Sequence, residues 1–275
     1  MSRHPTHYLK NSDMRPNLLM TIILPLLLSG NSRNENIQSP YLLLTNSITT
    51  IPVSKKTQTI KNIPLPGGYQ RIEYGTTSFP AWLRTINIKK DKRVFLYNGE
   101  LKRNQSAQFA VLDIPVGKKD LQQCADAVMR LRAQYLFDHS RFDEIRFSDN
   151  NGKQYKYGSS YRLRFEDYLE KVFSYCGTIS LEKQLKRVND FNTMQSGDVL
   201  IKGGSPGHAV LIMDIAINGQ GNKIYLLAQS YMPAQDIHIL NNPMDNGLSP
   251  WYNLKDKSLI CTPEWIFETW QLRRW

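Results

Sequence analysis

From Gly197 to Ala216 the chain reads GDVLIKGGSPGHAVLIMDIA, and the fold is decided there. Val199–Lys202 is a short apolar run, a turn rich in Gly and Pro interrupts it, and His208–Ala216 resumes it. Short apolar runs bounded by glycine and proline predict strands. Lys223–Ser230 and Asp236–Leu240 repeat the pattern, so the second half of the chain is predicted to be an antiparallel sheet.

Toward the amino end the apolar spacing changes to the helical period. Leu121–Phe137 predicts a helix opened by Asp120, with Gln123 three residues later in the manner of a capping box. Phe165, Tyr168, Leu169, Val172, Phe173 and Cys176 recur at helical spacing, and Gly177 closes that helix. Leu181–Val188 predicts a shorter one. Further back come a strand at Tyr69–Tyr74, a short helix at Ser78–Thr85 capped by Ser78, and a strand at Gln108–Ile114. Asn98-Gly99, between Val94–Tyr97 and Glu100–Arg103, predicts a hairpin. Toward the carboxyl end, Thr262-Pro263-Glu264 predicts the start of a last helix, with Pro in its first turn. Helices first and an antiparallel sheet afterwards define an α+β class.

Leu18–Leu28 reads LLMTIILPLLL, with Arg15 before it and Gly30 and Ser32 behind. A spanning helix needs about 20 apolar residues, whereas this shorter run has the length of a signal-peptide core. Residues 1–32 are therefore expected to be a cleaved signal, started at Met1 or equally at Met14. The run resembles a lipoprotein signal, but Asn31 stands where the lipidated Cys belongs. Residues 33–61, rich in Asn, Ser, Thr and Lys, are expected to be a flexible tether, and residues 62–275 a single α+β domain. The mature chain is thus predicted to be exported, periplasmic or outer-envelope associated, with no transmembrane helix.

Thirty-five Lys and Arg against 24 Asp and Glu give a net charge of +11. That excess suits contact with peptidoglycan or another anionic envelope polymer. The basic residues are scattered rather than interleaved with aromatics, which argues against a nucleic-acid partner. Three cysteines are too few, and an odd number, for a disulfide scaffold.

Cys124 is the thiol with chemical promise, because a helix start favours an anion and so a thiolate. Packing against Leu121, Ala125 and Val128 remains the alternative. Cys176 ends a helix and Cys261 ends an apolar strand, so both are predicted to be structural. His208, entering a strand from a Gly-rich turn, is the candidate base. A hairpin turn centred on Gly219-Gln220 sets His208 opposite Tyr231 and Val210 opposite Gln229, which places Gln229 on the His208 face. Its amide is then the candidate orienting group of a Cys-His-X triad, with His238, on the face of Asp236, as the competing third member. Tyr231, His238 and Gln123 are the predicted substrate contacts. His208, His238, Asp236 and Asp214 show no metal-ligand spacing, so neither a metal nor a cofactor is predicted.

Asp120–Asp126 (DLQQCAD), Gly203–Val210 (GGSPGHAV) and Ala228–His238 (AQSYMPAQDIH) resemble a bacterial envelope family classed as a domain of unknown function. That resemblance runs from about Ile63 to Trp275 and brings no activity with it. A more distant likeness is to the papain-like NlpC and CHAP amidohydrolases. Those place a Cys at a helix start, a Gly-His at a strand start and a polar residue on the following strand, which Cys124, His208 and Gln229 match in order. Ala125-Asp126 stands where those folds have a small residue and Gly, and the Cys-to-His interval is longer. The likeness implies an exported, cysteine-dependent amidohydrolase or peptidase acting on cell-wall peptides. The rival expectation is a non-catalytic envelope protein that binds glycan or a protein partner.

Overall fold

The computed structural model describes residues 58–158, 164–253 and 258–275. The predicted signal, and the predicted tether up to residue 57, lie outside the described residues. The packed unit begins before residue 62. The Gln58 carbonyl takes the Ile88 N–H at 2.8 Å, the Ile60 N–H bonds the Ile86 carbonyl at 3.0 Å, and the Ile60 side chain is fully buried. Residues 58–61 therefore belong to the domain and not to a tether.

β1 (Tyr69–Arg71) is followed by α1 (Phe79–Leu83), capped as expected by Ser78, whose hydroxyl accepts the Ala81 N–H at 3.3 Å. β2 (Gln108–Val111) leads to α2 (Cys124–Asp138), whose Ala125, Val128, Met129 and Leu131 enter the main core. α2 starts later than its sequence pattern suggests, and Asp120 is not its cap. The Asp120 carboxylate accepts the Ala234 N–H at 2.6 Å and the Gln123 side chain at 3.0 Å, which ties the preceding loop to the segment just before Asp236. Asp126, one turn inside, takes the Gln123 N–H at 3.0 Å instead. Cys124 is thereby the first residue of the helix.

β3 (Arg146–Ser148) and β4 (Gln154–Lys156) form a separate hairpin. α3 (Phe165–Tyr175) and α4 (Thr178–Gln184) succeed one another across Gly177. α4 begins earlier than the predicted Leu181, because the Ser180 hydroxyl accepts the Gly177 N–H at 3.0 Å and closes its first turn there.

The remaining strands are β5 (Lys186–Arg187), β6 (Val199–Lys202), β7 (His208–Asn218), β8 (Lys223–Gln229), β9 (His238–Leu240), β10 (Tyr252–Asn253), β11 (Leu259–Cys261), β12 (Ile266–Glu268) and β13 (Leu272–Arg274). Among the described residues a nine-stranded antiparallel sheet runs β2-β9-β8-β7-β6-β13-β5, with β1 also on β7 and β10 also on β8. With four α-helices beside it, the architecture is α+β. Ala209, Leu211, Met213, Leu226 and Ala228 face the core shared with the helices; Val210, Ile212, Ile215, Tyr225 and Leu227 face a second core with Ile260, Phe267 and Leu272. Burial on both faces explains why β7 reads as one apolar run and not as an alternation. Each large side chain so enclosed contributes about 2 kcal/mol.

A β-bulge between Ile212 and Asp214 breaks the β7–β8 register. It turns Asp214 to the helix side, where the fully buried carboxylate meets Arg71 and Arg84, each at 2.7 Å. Above the bulge Leu211 pairs with Ala228.

The carboxyl end departs from expectation. Instead of a last α-helix, Leu259–Cys261 and Ile266–Glu268 pair as a hairpin, and β13 adds to the large sheet. The backbone turns back on itself here, the Thr262 N–H bonding the Trp265 carbonyl at 2.8 Å, and the Thr262 hydroxyl takes the Trp265 N–H at 3.0 Å inside that turn. Trp265-Ile266-Phe267 then alternates, with Phe267 fully buried and Ile266 exposed, as a strand requires.

Candidate functional site

Cys124 lines a cleft of about 230 Å³, whose other walls include Asp126, Phe173, Cys176, Thr178 and the turn before His208. That turn has little room. A Cβ on Gly207 would lie 2.5 Å from the Thr178 hydroxyl and 2.6 Å from the Gly204 carbonyl, so only glycine lets the turn close against the start of α4. The thiol is not the depressed one that its helix-start position predicts. Burial first, and the neighbouring Asp126 carboxyl second, push it up to about 11, against the backbone N–H groups of Ala125, Ala209 and Cys124 itself. Burial likewise holds Asp126 well above the usual carboxylate range. Cys176 lies on the same cleft and is pushed up to about 12, by burial ahead of Asp149 and Asp126. All three cysteines are free.

His208 begins β7 and is 1% exposed. Its ring packs against Tyr231 at 4.9 Å, Trp265 at 5.3 Å and Phe267 at 5.8 Å. Its Nε2 lies 2.8 Å from Gln229 Oε1, and the Gln229 amide nitrogen donates to Glu264 at 2.7 Å. A carboxylate only accepts, so the amide nitrogen faces Glu264 and the amide oxygen faces His208. His208 is then protonated on Nε2, and Nδ1 keeps its lone pair. Burial pulls the imidazole down to about 4.

The chain thus brings His208 and Gln229 into contact, but it turns His208 to the second core with Val210, Trp265 and Phe267, while the Cys124 cleft on the helix side is lined by Gly207 and not by His208. Among the described residues no hydrogen bond joins the Cys124 and His208 side chains. Tyr231 is half-buried beside His208, and Gln123 caps α2 at the cleft wall. His238 does not reach the cleft: it is fully buried, with Nδ1 2.8 Å from the Asp236 carbonyl and Nε2 3.4 Å from the Lys102 ammonium. Burial, with Lys102 adding to it, pulls His238 down to about 3. It stands beside Gln229 at 3.5 Å, and Gln229 holds the place next to His208. The Asp236 carboxylate is taken by Lys89 at 2.8 Å and the Phe95 N–H at 2.9 Å.

Two members of this network are not legible from sequence patterns. Glu264 arrives on the turn between β11 and β12, and Lys102 on the Asn98-Gly99 hairpin arm; they meet at 2.6 Å. Among the described residues no three His, Cys, Asp or Glu side chains are grouped to hold a metal, and no helix is long and apolar enough to cross a membrane.

The site thus consists of an α+β domain's free thiol at a helix start on an open cleft and, on the other face of the sheet, an imidazole held by a buried amide and ion pair. The chain belongs to the family described as Domain of unknown function (4846), whose model matches residues 60–162 and 157–274. No curated protein and no solved structure matches it.

Proposed function

We propose that this protein is an exported, periplasmic or outer-envelope, cysteine-dependent amidohydrolase or peptidase of papain-like (NlpC/CHAP-type) build, acting on amide bonds such as those of cell-wall peptides. The observation that carries the reading is a helix-start thiol on an open cleft walled by the Gly-rich turn that leads into His208, whose ring is fixed by Gln229. Cys124 passes its proton to the bare Nδ1 of His208 as its sulfur bonds the substrate carbonyl carbon. The amine leaves with that proton; water, deprotonated by the same nitrogen, attacks the thioester, the C–S bond breaks to release the acid, and the Cys124 sulfur takes the proton back from Nδ1. Both partners rest uncharged near neutral pH, so the proton moves during attack and no ion pair stands beforehand. The excess of Lys and Arg, 32 against 23 Asp and Glu once residues 1–32 are removed, supports attraction to an anionic envelope polymer such as peptidoglycan. Export is supported by the apolar run Leu18–Leu28.

One observation favours a second reading, a non-catalytic envelope binding protein: the thiol is held up at about 11 without a hydrogen bond to the imidazole among the described residues. Iodoacetamide labelling of Cys124, followed by mass spectrometry from pH 6 to 11, separates the two. Under the catalytic reading His208→Ala slows labelling at neutral pH, and Cys124→Ser abolishes both labelling and amide hydrolysis. A labelling profile that ignores His208→Ala transfers the protein to the binding reading.

A further inference from the structure

We infer that Glu264 is a positioning residue of this site, acting through Gln229 to set the tautomer of His208, with Lys102 holding it in place; its bearing on chemistry rests on the cysteine-hydrolase reading. An amide has no inherent sense at a site like this, because Gln229 offers an acceptor at one end and a donor at the other. What fixes the sense is the partner that can play only one part. Glu264 Oε2 receives both the Gln229 amide at 2.7 Å and the Lys102 ammonium at 2.6 Å, and Glu264 Oε1 lies 3.4 Å from the Asn104 amide nitrogen. Every group facing the carboxylate donates. The consequence passes along the chain: Gln229 turns its oxygen to His208, His208 carries its proton on Nε2, and Nδ1 is left able to accept one.

Stability alone is a weak reason for such an arrangement. The Lys102 and Glu264 side chains are only 6% and 14% exposed, and an ion pair so enclosed gives little net stability relative to apolar packing. His238 bonds the Asp236 carbonyl through Nδ1 and offers Nε2 to Lys102, so it turns no acceptor toward Glu264. Tyr231 bonds the Glu264 backbone carbonyl through its hydroxyl at 3.5 Å and leaves the carboxylate to the other three. The turn that brings Glu264 is the one that lays Trp265 and Phe267 against the His208 ring, so one hairpin supplies both the ring's walls and the charge that orders its proton.

The test is a long-range proton–nitrogen NMR correlation on protein carrying 15N-histidine, with iodoacetamide labelling of Cys124 beside it. Wild-type His208 is expected as a single tautomer protonated on Nε2. Glu264→Gln keeps the shape but offers a donor as well as an acceptor, so the Gln229 amide loses its fixed sense. His208 should then show both tautomers, and Cys124 labelling at neutral pH should slow by about tenfold. Glu264→Asp, which retains the carboxylate, should keep the single tautomer. A Glu264→Gln protein that melts earlier yet keeps His208 wholly protonated on Nε2 overturns the inference and leaves Glu264 a structural residue. If that variant does not fold, wild type still decides: a His208 proton on Nδ1 overturns the inference outright. A change of tautomer without slower labelling supports the role of Glu264 and counts against the cysteine-hydrolase reading instead.

Discussion

Two buried imidazoles set a pH response of this domain between neutrality and pH 4. His208 and His238 are both neutral when folded, pulled down chiefly by burial to about 4 and about 3 from 6.5. The unfolded chain binds protons at these sites below pH 6.5 that the folded chain refuses, so stability is complete above that pH and falls as the pH drops toward 4. His208 alone accounts for on the order of 3 kcal/mol of that loss. Urea midpoints should fall steadily from pH 7 to pH 4.5; a flat series contradicts the neutral burial of either ring. At this scale the His208–Gln229 contact is readable in the sequence, since the hairpin register sets both on one face; the burial of that face under Trp265 and Phe267, away from the Cys124 cleft, is not. Glu264 and Lys102 are not, because a lone acid and a lone base on separate hairpins acquire their meaning only where the hairpins meet.

Among the elements, the β7–β8 hairpin shows how a correct placement arises from two features only one of which is visible. A turn centred on Gly219-Gln220 is one step off the observed closure, in which the Asn218 N–H bonds the Asn222 carbonyl. The bulge between Ile212 and Asp214 absorbs that step, so the upper half of the hairpin has the register that brings Gln229 to His208. Nothing in the apolar letters around Met213 marks a bulge; the buried Asp214 with its two arginines is what its shape serves. The β11–β12 hairpin is hidden behind a helix signal because Thr-Pro-Glu serves a helix start and a tight turn equally well. Thr262→Val should remove the hydroxyl that takes the Trp265 N–H, costing about 1 kcal/mol in a denaturant melt. It should also quench or shift Trp265 fluorescence as that ring loosens from His208. A variant that keeps both melt and emission unchanged assigns the turn to Pro263 instead.

For the whole molecule, the α+β class and the strand sequence from Val199 to Leu240 are legible, because a sheet buried on both faces leaves a long apolar signature. The amino-terminal edge of the domain is not, since Gln58–Lys61 is polar by composition and is fixed by backbone pairing and by the single buried Ile60. A chain beginning at Ser54 should therefore melt like the full-length protein. One beginning at Lys61 should lose about 2–5 kcal/mol with the Ile60 side chain. Equal melts for the two would return residues 58–61 to the tether.

The polar network behind His208 draws on Lys102, His208, Gln229 and Glu264, and the thiol comes from Cys124, so the site is written across the span of the domain. That has a consequence in time. A chain synthesised or threaded amino end first presents Cys124 long before the turn bearing Glu264 exists, and contacts so distant in sequence are the last and slowest to close. Until α2 packs against β7 the thiol is open to solvent and titrates as an ordinary cysteine, reactive toward any passing oxidant. Completion of the fold buries it at the start of α2. A pulse of thiol label given during folding would therefore date the moment α2 packs and Cys124 is buried.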